Sequence, residues 1–246
     1  MGEAPTAPLF LSINLLNLNR FMKLSVIVPV YNEEKTIREV LRRLCRQKQI
    51  AEIVVVDDGS TDQSWRLMKK VKDPKIRLFR KKNAGKGSVI RFALTKVSGD
   101  YVLIQDADLE YDPQDISLLV DAVKNKGVIA VYGSRFLGPH SNLLFWHRLG
   151  NQFLNMVINI LYNTTLSDME TCYKLLPTKM WRQLKLRANG FDIEPEVTCK
   201  LLRQNIRIFE VPISYVGRDF SEGKKITWKD GVIALWTILR WRWQSF

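Results

Sequence analysis

Between Leu24 and Val131 the chain alternates short β-branched and apolar runs with stretches of helical periodicity, and this rhythm restricts the fold more than any other feature. Leu24–Val30, Ile53–Val56, Ile76–Phe79, Tyr101–Ile104 and Val128–Val131 lack the in-and-out alternation of a half-exposed strand. They read as strands covered on both faces. Ile37, Val40, Leu41 and Leu44 fall at the i, i+3, i+4, i+7 spacing of an apolar helical stripe, with Arg and Glu opposite. Asp112-Pro113 before Ile116–Val123 marks a helix start, with proline at the first helical position. Alternation at this spacing predicts an α/β fold, a mostly parallel sheet with helices on both faces.

After Arg135 the rhythm changes. Leu143–Tyr162 is a long, mostly apolar helical stretch, followed by a loop, a helix near Glu194–Leu202 and a strand at Arg207–Tyr215. Trp228–Trp243 then gathers four of the seven tryptophans, interleaving Trp with Arg in its last turn. It reads either as a helix packed on the core or as an amphipathic helix lying at a membrane interface. No repeat, low-complexity tract or long linker divides the chain. The expected organisation is a poorly ordered extension over 1–22, one domain over 23–225 and a C-terminal amphipathic helix over 226–246.

Thirty-eight Lys and Arg against 25 Asp and Glu give a net charge of +13. Such an excess suits nucleic acid, anionic lipid headgroups or phosphorylated small substrates. No basic run alternates with aromatics through the body of the chain, so a nucleic-acid partner is not expected. Cys45, Cys172 and Cys199 are scattered and have no metal-ligand spacing, the pattern of reduced thiols in a cytoplasmic setting. No stretch has the roughly 18 apolar residues of a transmembrane helix. The apolar segment from Pro8 to Phe21 is broken by Asn14, Asn17 and Asn19 and lacks a basic start, unlike a signal peptide.

Open parallel sheets bind ligands beyond the carboxyl ends of their strands. There the sequence places Tyr31-Asn32-Glu33-Glu34, Asp57-Asp58-Gly59-Ser60, Asp106-Ala107-Asp108 and Gly133-Ser134-Arg135. Acid gathered at one edge of a basic protein is costly unless a cation or donor groups neutralise it. Asp106 and Asp108, two apart, leave extended chain on the same side and suit a hard divalent ion (Mg2+ or Mn2+) bridging a pyrophosphate. Asp58 is placed to accept from a ribose hydroxyl or a base N–H, while Ser60 or Thr61 is expected to cap the next helix. In Asn83-Ala84-Gly85-Lys86-Gly87 the glycines permit close approach to a phosphate and Lys86 supplies charge, although neither a P-loop nor a G-x-G-x-x-G is present.

Val-Ile-Val-Pro-Val-Tyr-Asn-Glu-Glu, Asp-Asp-Gly-Ser, Gly-Lys-Gly, Ser-Gly-Asp-Tyr and Asp-Ala-Asp-Leu occur in that order. From about Lys23 to Lys225 the chain resembles the family-2 inverting glycosyltransferases of GT-A (Rossmann-like) fold, in particular the dolichyl- or polyprenyl-phosphate mannosyl- and glucosyltransferases. The resemblance implies that Pro29, Tyr31, Glu33, Val56 and Asp58 line a nucleotide pocket. It implies that Asp106, Ala107 and Asp108 hold the pyrophosphate and metal, with Glu110 where relatives often carry Gln. Arg135 and Arg148 look like the arginines that receive an acceptor phosphate. Ser167–Thr171 resembles an acidic loop near the acceptor, and Gly190–Glu194 a segment bordering the active site, with Glu194 on the donor side. Arg218 and Lys224 look like part of a basic loop that closes over the donor diphosphate.

The implied reaction moves a sugar from a nucleotide-sugar of GDP-mannose or UDP-glucose type to a polyprenyl phosphate, at the cytoplasmic face of a membrane. An anionic acceptor needs no strong base; for a hydroxyl acceptor, Asp168 is the first candidate base. A sugar-1-phosphate nucleotidyltransferase would carry a Gly-rich basic loop after the first strand, where Pro29–Glu33 stands instead. A non-catalytic nucleotide-sugar binding module would have no use for the Asp106/Asp108 pair.

Overall fold

The computed structural model describes residues 22–141, 144–218 and 228–244. Residues 1–21 of the expected extension over 1–22 and Lys224 therefore lie outside the described residues, as does the boundary expected at 225. Five strands and four helices alternate in the first half: β1 (Leu24–Val30), α1 (Ile37–Cys45), β2 (Ile50–Asp57), α2 (Ser64–Met68), β3 (Ile76–Arg80), α3 (Lys86–Leu94), β4 (Tyr101–Ile104), α4 (Ile116–Lys126) and β5 (Ala130–Ser134). The second half adds β6 (His140–Ser141), α5 (Phe145–Tyr162), β7 (Lys174–Pro177), α6 (Thr178–Gln183), α7 (Ile193–Arg203), β8 (Ile208–Pro212), β9 (Tyr215–Val216) and α8 (Trp228–Trp243).

The main sheet has seven strands in the order β3-β2-β1-β4-β7-β5-β8. All neighbours are parallel except β7, which runs antiparallel to β4 and β5. The chain leaves β1 for β2 on one side and returns to β4 on the other, so a crevice opens beyond the carboxyl ends of β1 and β4. These strands are buried almost throughout, as their unbroken apolar runs require. The helix read at Asp112-Pro113 begins with a 3-10 turn at Pro113, and the Asp112 carboxylate caps it by accepting from Gln114 N at 3.0 Å.

The structure departs from the sequence reading at three elements. The fifth strand lies two residues later than expected, so Arg135 follows it directly. The stretch 207–215 divides into β8 and β9, which join different sheets. The antiparallel β7 was not anticipated. Lys174, one of its four residues, is buried, with its ammonium donating to the carbonyls of Met169 and Thr171. A buried lysine so satisfied leaves no apolar signature.

Beside the main core lies a smaller one, in which Leu154 and Ile158 of α5, Cys199 of α7, and Ala234, Ile238 and Trp241 of α8 pack together. The inner face of α8 is thus a core element.

Candidate functional site

One cavity of about 440 Å3 opens at the carboxyl ends of β1, β2 and β4. It takes in Pro29, Tyr31, Glu33, Asp58, Lys86, Asp106, Ala107, Asp108 and Glu110, together with Arg135, Arg148, Glu194 and Arg218. Residues spread over most of the chain therefore converge. Among the described residues, two expected ones do not join them. Val56, next to the last residue of β2 and paired with Pro29 of β1, is fully buried and does not line the cavity. Asp168 is also fully buried: it accepts from the Arg135 backbone N–H at 2.9 Å and forms a bidentate pair with the Arg135 guanidinium at 2.8 and 2.7 Å. A carboxylate so engaged and away from the cavity is a poor general base; it fixes Arg135 instead.

The first strand end is clipped by the second. Asn32 N donates to Ser60 Oγ at 3.0 Å, and Glu33 N to Ser64 Oγ at 2.7 Å. Neither Ser60 nor Thr61 caps α2, which begins later, at Ser64, behind an Asp62 carboxylate that accepts from Ser64 N at 2.9 Å. Asp58 holds the following loop by accepting from Ala84 N and Gly85 N and pairing with Lys81 at 2.8 Å. Close approach in that loop is to protein. A Cβ on Gly85, whose φ is +92°, would meet Asn189 O at 2.4 Å, and one on Gly87 would meet Ala188 O at 2.5 Å. The glycines dock the loop against residues 188–190.

In the middle of the cavity the acids meet cations. Lys86 Nζ lies 2.8 Å from both Asp106 Oδ1 and Glu194 Oε1. Burial alone would depress the Lys86 ammonium, but these carboxylates outweigh it and hold the group well above its usual range. Arg218 bridges Glu33 and Asp108 at 3.1 Å each. Glu110 accepts from Arg218 N at 2.9 Å and from the Tyr215 hydroxyl at 2.6 Å. Leu109, at φ 65°, reverses the backbone between Asp108 and Glu110, a conformation uncommon for a branched side chain. Burial, then the charges of Asp106 and Glu110, push the Asp108 carboxyl up to about 7 even with Arg218 beside it. The centre is short of positive charge.

Among the described residues no three His, Cys, Asp or Glu side chains are grouped as a ready cage for a metal. The oxygen-only pair Asp106 and Asp108 nevertheless fits a hard divalent ion, provided phosphate and water complete its shell. Glu110, like the two aspartates, already has partners on both oxygens, so an ion held here would displace Lys86, Arg218 or Tyr215 from the carboxylates.

Sequence reasoning did not single out Glu170, His147 or Asn151, nor the part of the wall supplied by α8 (Asp230, Gly231 and Ala234). Glu170 lay within the acidic loop noted above, but nothing in its type or spacing sets it apart from its neighbours.

Residues 25–183 match the family model described as Glycosyl transferase family 2. The chain is 32 % identical over 211 residues to a dolichol-phosphate mannosyltransferase of Pyrococcus furiosus, a match covering 82 % of this chain and 59 % of that protein. The chain thus spans little more than half the length of this relative. It is 25 % identical over 218 residues to a UDP-N-acetylglucosamine–dolichyl-phosphate N-acetylglucosaminyltransferase of Methanococcus voltae, covering 80 % of this chain and 86 % of that one. In structure it is similar to glucosyl-3-phosphoglycerate synthase from Mycobacterium tuberculosis in complex with Mn2+, UDP and phosphoglyceric acid. The TM-score is 0.72 at 18 % identity, over 94 % of this chain and 82 % of that one.

Proposed function

Because the chain belongs to glycosyl transferase family 2, we infer that it transfers one sugar from a nucleotide-sugar to a lipid phosphate of polyprenyl type, working at a membrane surface. One observation carries this reading. A single cavity combines strand-end carboxylates with Arg135 and Arg148, and its far wall is made of helices whose outer faces are apolar.

The donor diphosphate belongs at Asp106 and Asp108, with its nucleoside toward Pro29, Tyr31, Glu33 and Asp58. A divalent ion there supplies positive charge against the diphosphate when bound. As the anomeric C–O bond breaks, its electron pair leaves with the diphosphate and positive charge builds on the sugar. Arg218, pointed at this centre, is placed to meet the new negative charge, and Lys224 is assigned to the same task. A phosphate oxygen of the acceptor attacks the opposite face and forms the new bond, so the configuration inverts. That oxygen is already anionic, which removes the need for a base and accords with the burial of Asp168. Arg135, locked by Asp168, and the exposed Arg148 hold the acceptor phosphate.

The membrane reading gains support from α5 as well as α8. Phe145, Trp146, Leu149, Phe153, Met156 and Ile160 form an exposed stripe along α5, with Trp146 at 76 % and Ile160 at 72 % exposure. Trp228, Val232, Ile233, Trp236 and Trp243 do the same along α8. Exposed Arg148, Lys229, Arg240 and Arg242 flank these stripes, a pattern suited to an anionic leaflet. No helix among the described residues is long and apolar enough to cross a membrane. We assign the protein to the cytoplasmic face, held peripherally.

A thermal-shift panel of GDP- and UDP-sugars, with and without Mn2+, tests the donor half of this reading, because a ligand of the native state raises its melting point. A rise with one nucleobase series, larger with Mn2+, is expected. No rise with any nucleotide-sugar would overturn it.

A further inference from the structure

Two carboxyl oxygens in the cavity wall are buried and have no hydrogen-bond partner among the described residues: Glu194 Oε2 and Glu170 Oε1. Glu194 is only 4 % exposed. Its other oxygen is bound to Lys86, which ties it to Asp106, so Glu194 stands one ion pair away from the expected diphosphate position. An unpaired buried acceptor is costly, more so when charged, so two in one cavity wall are not a packing convenience.

The surroundings of Glu170 locate it more closely. After burial itself, the charges acting on it are those of Glu194, Lys174, Arg135 and Asp168. It shares the cavity wall with Lys86, Asp106 and Glu194 on the donor side and with the arginine assigned to the acceptor phosphate. Its backbone is also fixed: the Lys174 ammonium donates to the carbonyls on either side, those of Met169 and Thr171. Phe191 stands at the same place, its ring centroid 5.8 Å from Lys86 Nζ, and offers an apolar face.

We propose that Glu170 and Glu194 are the sugar-reading residues of the cavity, taking the ring hydroxyls of the transferred hexopyranose with their free carboxyl oxygens. The inference rests on the transferase reading above and deepens it. A sugar attached to a diphosphate at Asp106 and Asp108 and facing Arg135 for attack must occupy the space these carboxyls enclose. Pyranose hydroxyls are donors in fixed directions, and unpaired acceptors answer them. Burial and the neighbouring Glu194 push the Glu170 carboxyl up to about 8, so near neutral pH it retains a proton and can donate as well as accept. A site built on such pairs discriminates strongly, because a sugar lacking the hydroxyl leaves the protein group unsatisfied.

The test is calorimetric binding to the full chain in Mn2+, comparing UDP-glucose and GDP-mannose with UDP and GDP alone. Glu170→Ala is expected to weaken the preferred sugar nucleotide by about tenfold or more while leaving the bare diphosphate within about twofold; Glu170→Gln, which keeps an acceptor oxygen, should lose less. A deoxy-sugar donor that loses affinity on wild type and little more on Glu170→Ala would identify the hydroxyl read. Equal losses for sugar nucleotide and bare diphosphate would reveal a structural role and overturn the proposal. So would unchanged affinities with lowered turnover, the mark of a proton-transfer group. If wild type binds the diphosphates and neither sugar nucleotide, the proposal fails; if it binds none of the four, the transferase reading fails with it.

Discussion

The sheet wall of the cavity and its helical wall present opposite surfaces to water. Glu33, Asp58, Asp108 and Arg135 stand on strand ends, and each is fixed by a second group: Arg218, the Ala84 and Gly85 amides, Arg218 again, and Asp168. Across from them α5 and α8 bury one face in a small core and turn the other outward with tryptophan, phenylalanine and isoleucine exposed. The helices on the sheet behave differently. The outer face of α1 shows Arg38 and Arg42, and that of α4 shows Asp121, Lys124 and Lys126. One fold thus makes ordinary solvated helices where it meets water. The apolar exposure of α5 and α8 is then a property of that wall, and it calls for a contact that removes it from water.

Under the proposed function, chemistry belongs to the sheet wall and docking to the helical wall, so a substitution on one wall should spare the function of the other. The largest effect is expected at the Arg135 anchor. Asp168→Ala leaves a buried guanidinium without its partner and should cost about 3–5 kcal/mol of stability, read by denaturant unfolding. If stability hardly changed, the anchor would not matter. Next, Asp108→Ala should lower the transfer rate by about 10²–10³-fold or more while leaving vesicle co-sedimentation intact. Excess EDTA should mimic it on wild type.

The helical wall supplies the converse. In Phe153→Glu/Ile160→Glu two exposed apolar side chains are lost, each contributing about 1.5–3 kcal/mol if fully buried in lipid. Affinity for anionic vesicles should drop by about tenfold or more, with nucleotide-sugar affinity unchanged. These positions are preferable to truncation before Trp228, which would also open the small core around Trp241. Loss of both activities in this variant would merge the two walls.

The smallest effect concerns Glu170. Its carboxyl, pushed by burial from 4.5 to about 8, keeps a proton in the folded protein that the unfolded chain has already released. Stability is therefore lost as pH rises from about 4.5 towards about 8. Glu170→Gln removes that loss, so its gain in melting temperature should be greater at pH 8 than at pH 5. An equal change at both would show that the group ionises normally.

The same division governs what the sequence discloses. β1 and β4 are legible because strands buried on both faces must be apolar throughout, and Asp106 and Asp108 stand out because acids closing such a strand have no packing role. Val56 was expected in the cavity and Asp168 as a base because order along the chain reveals neither a strand's depth nor an ion pair made across 33 residues. β7 went unread because Lys174 is buried against carbonyls. α5 reads as a helix, but its pattern cannot say which apolar residues face outward. The open oxygens of Glu170 and Glu194 are a matter of three-dimensional hydrogen bonding alone.

The most direct test of the account is a transfer assay in which the full chain, a labelled nucleotide-sugar, Mn2+ and anionic vesicles carrying a polyprenyl phosphate are incubated and the lipid is extracted. Label is expected in an acid-labile sugar-phosphate-lipid, formed by wild type and absent with Asp108→Ala. Label recovered only as free sugar or on a hydroxyl acceptor, with none in the lipid, would contradict transfer to a lipid phosphate.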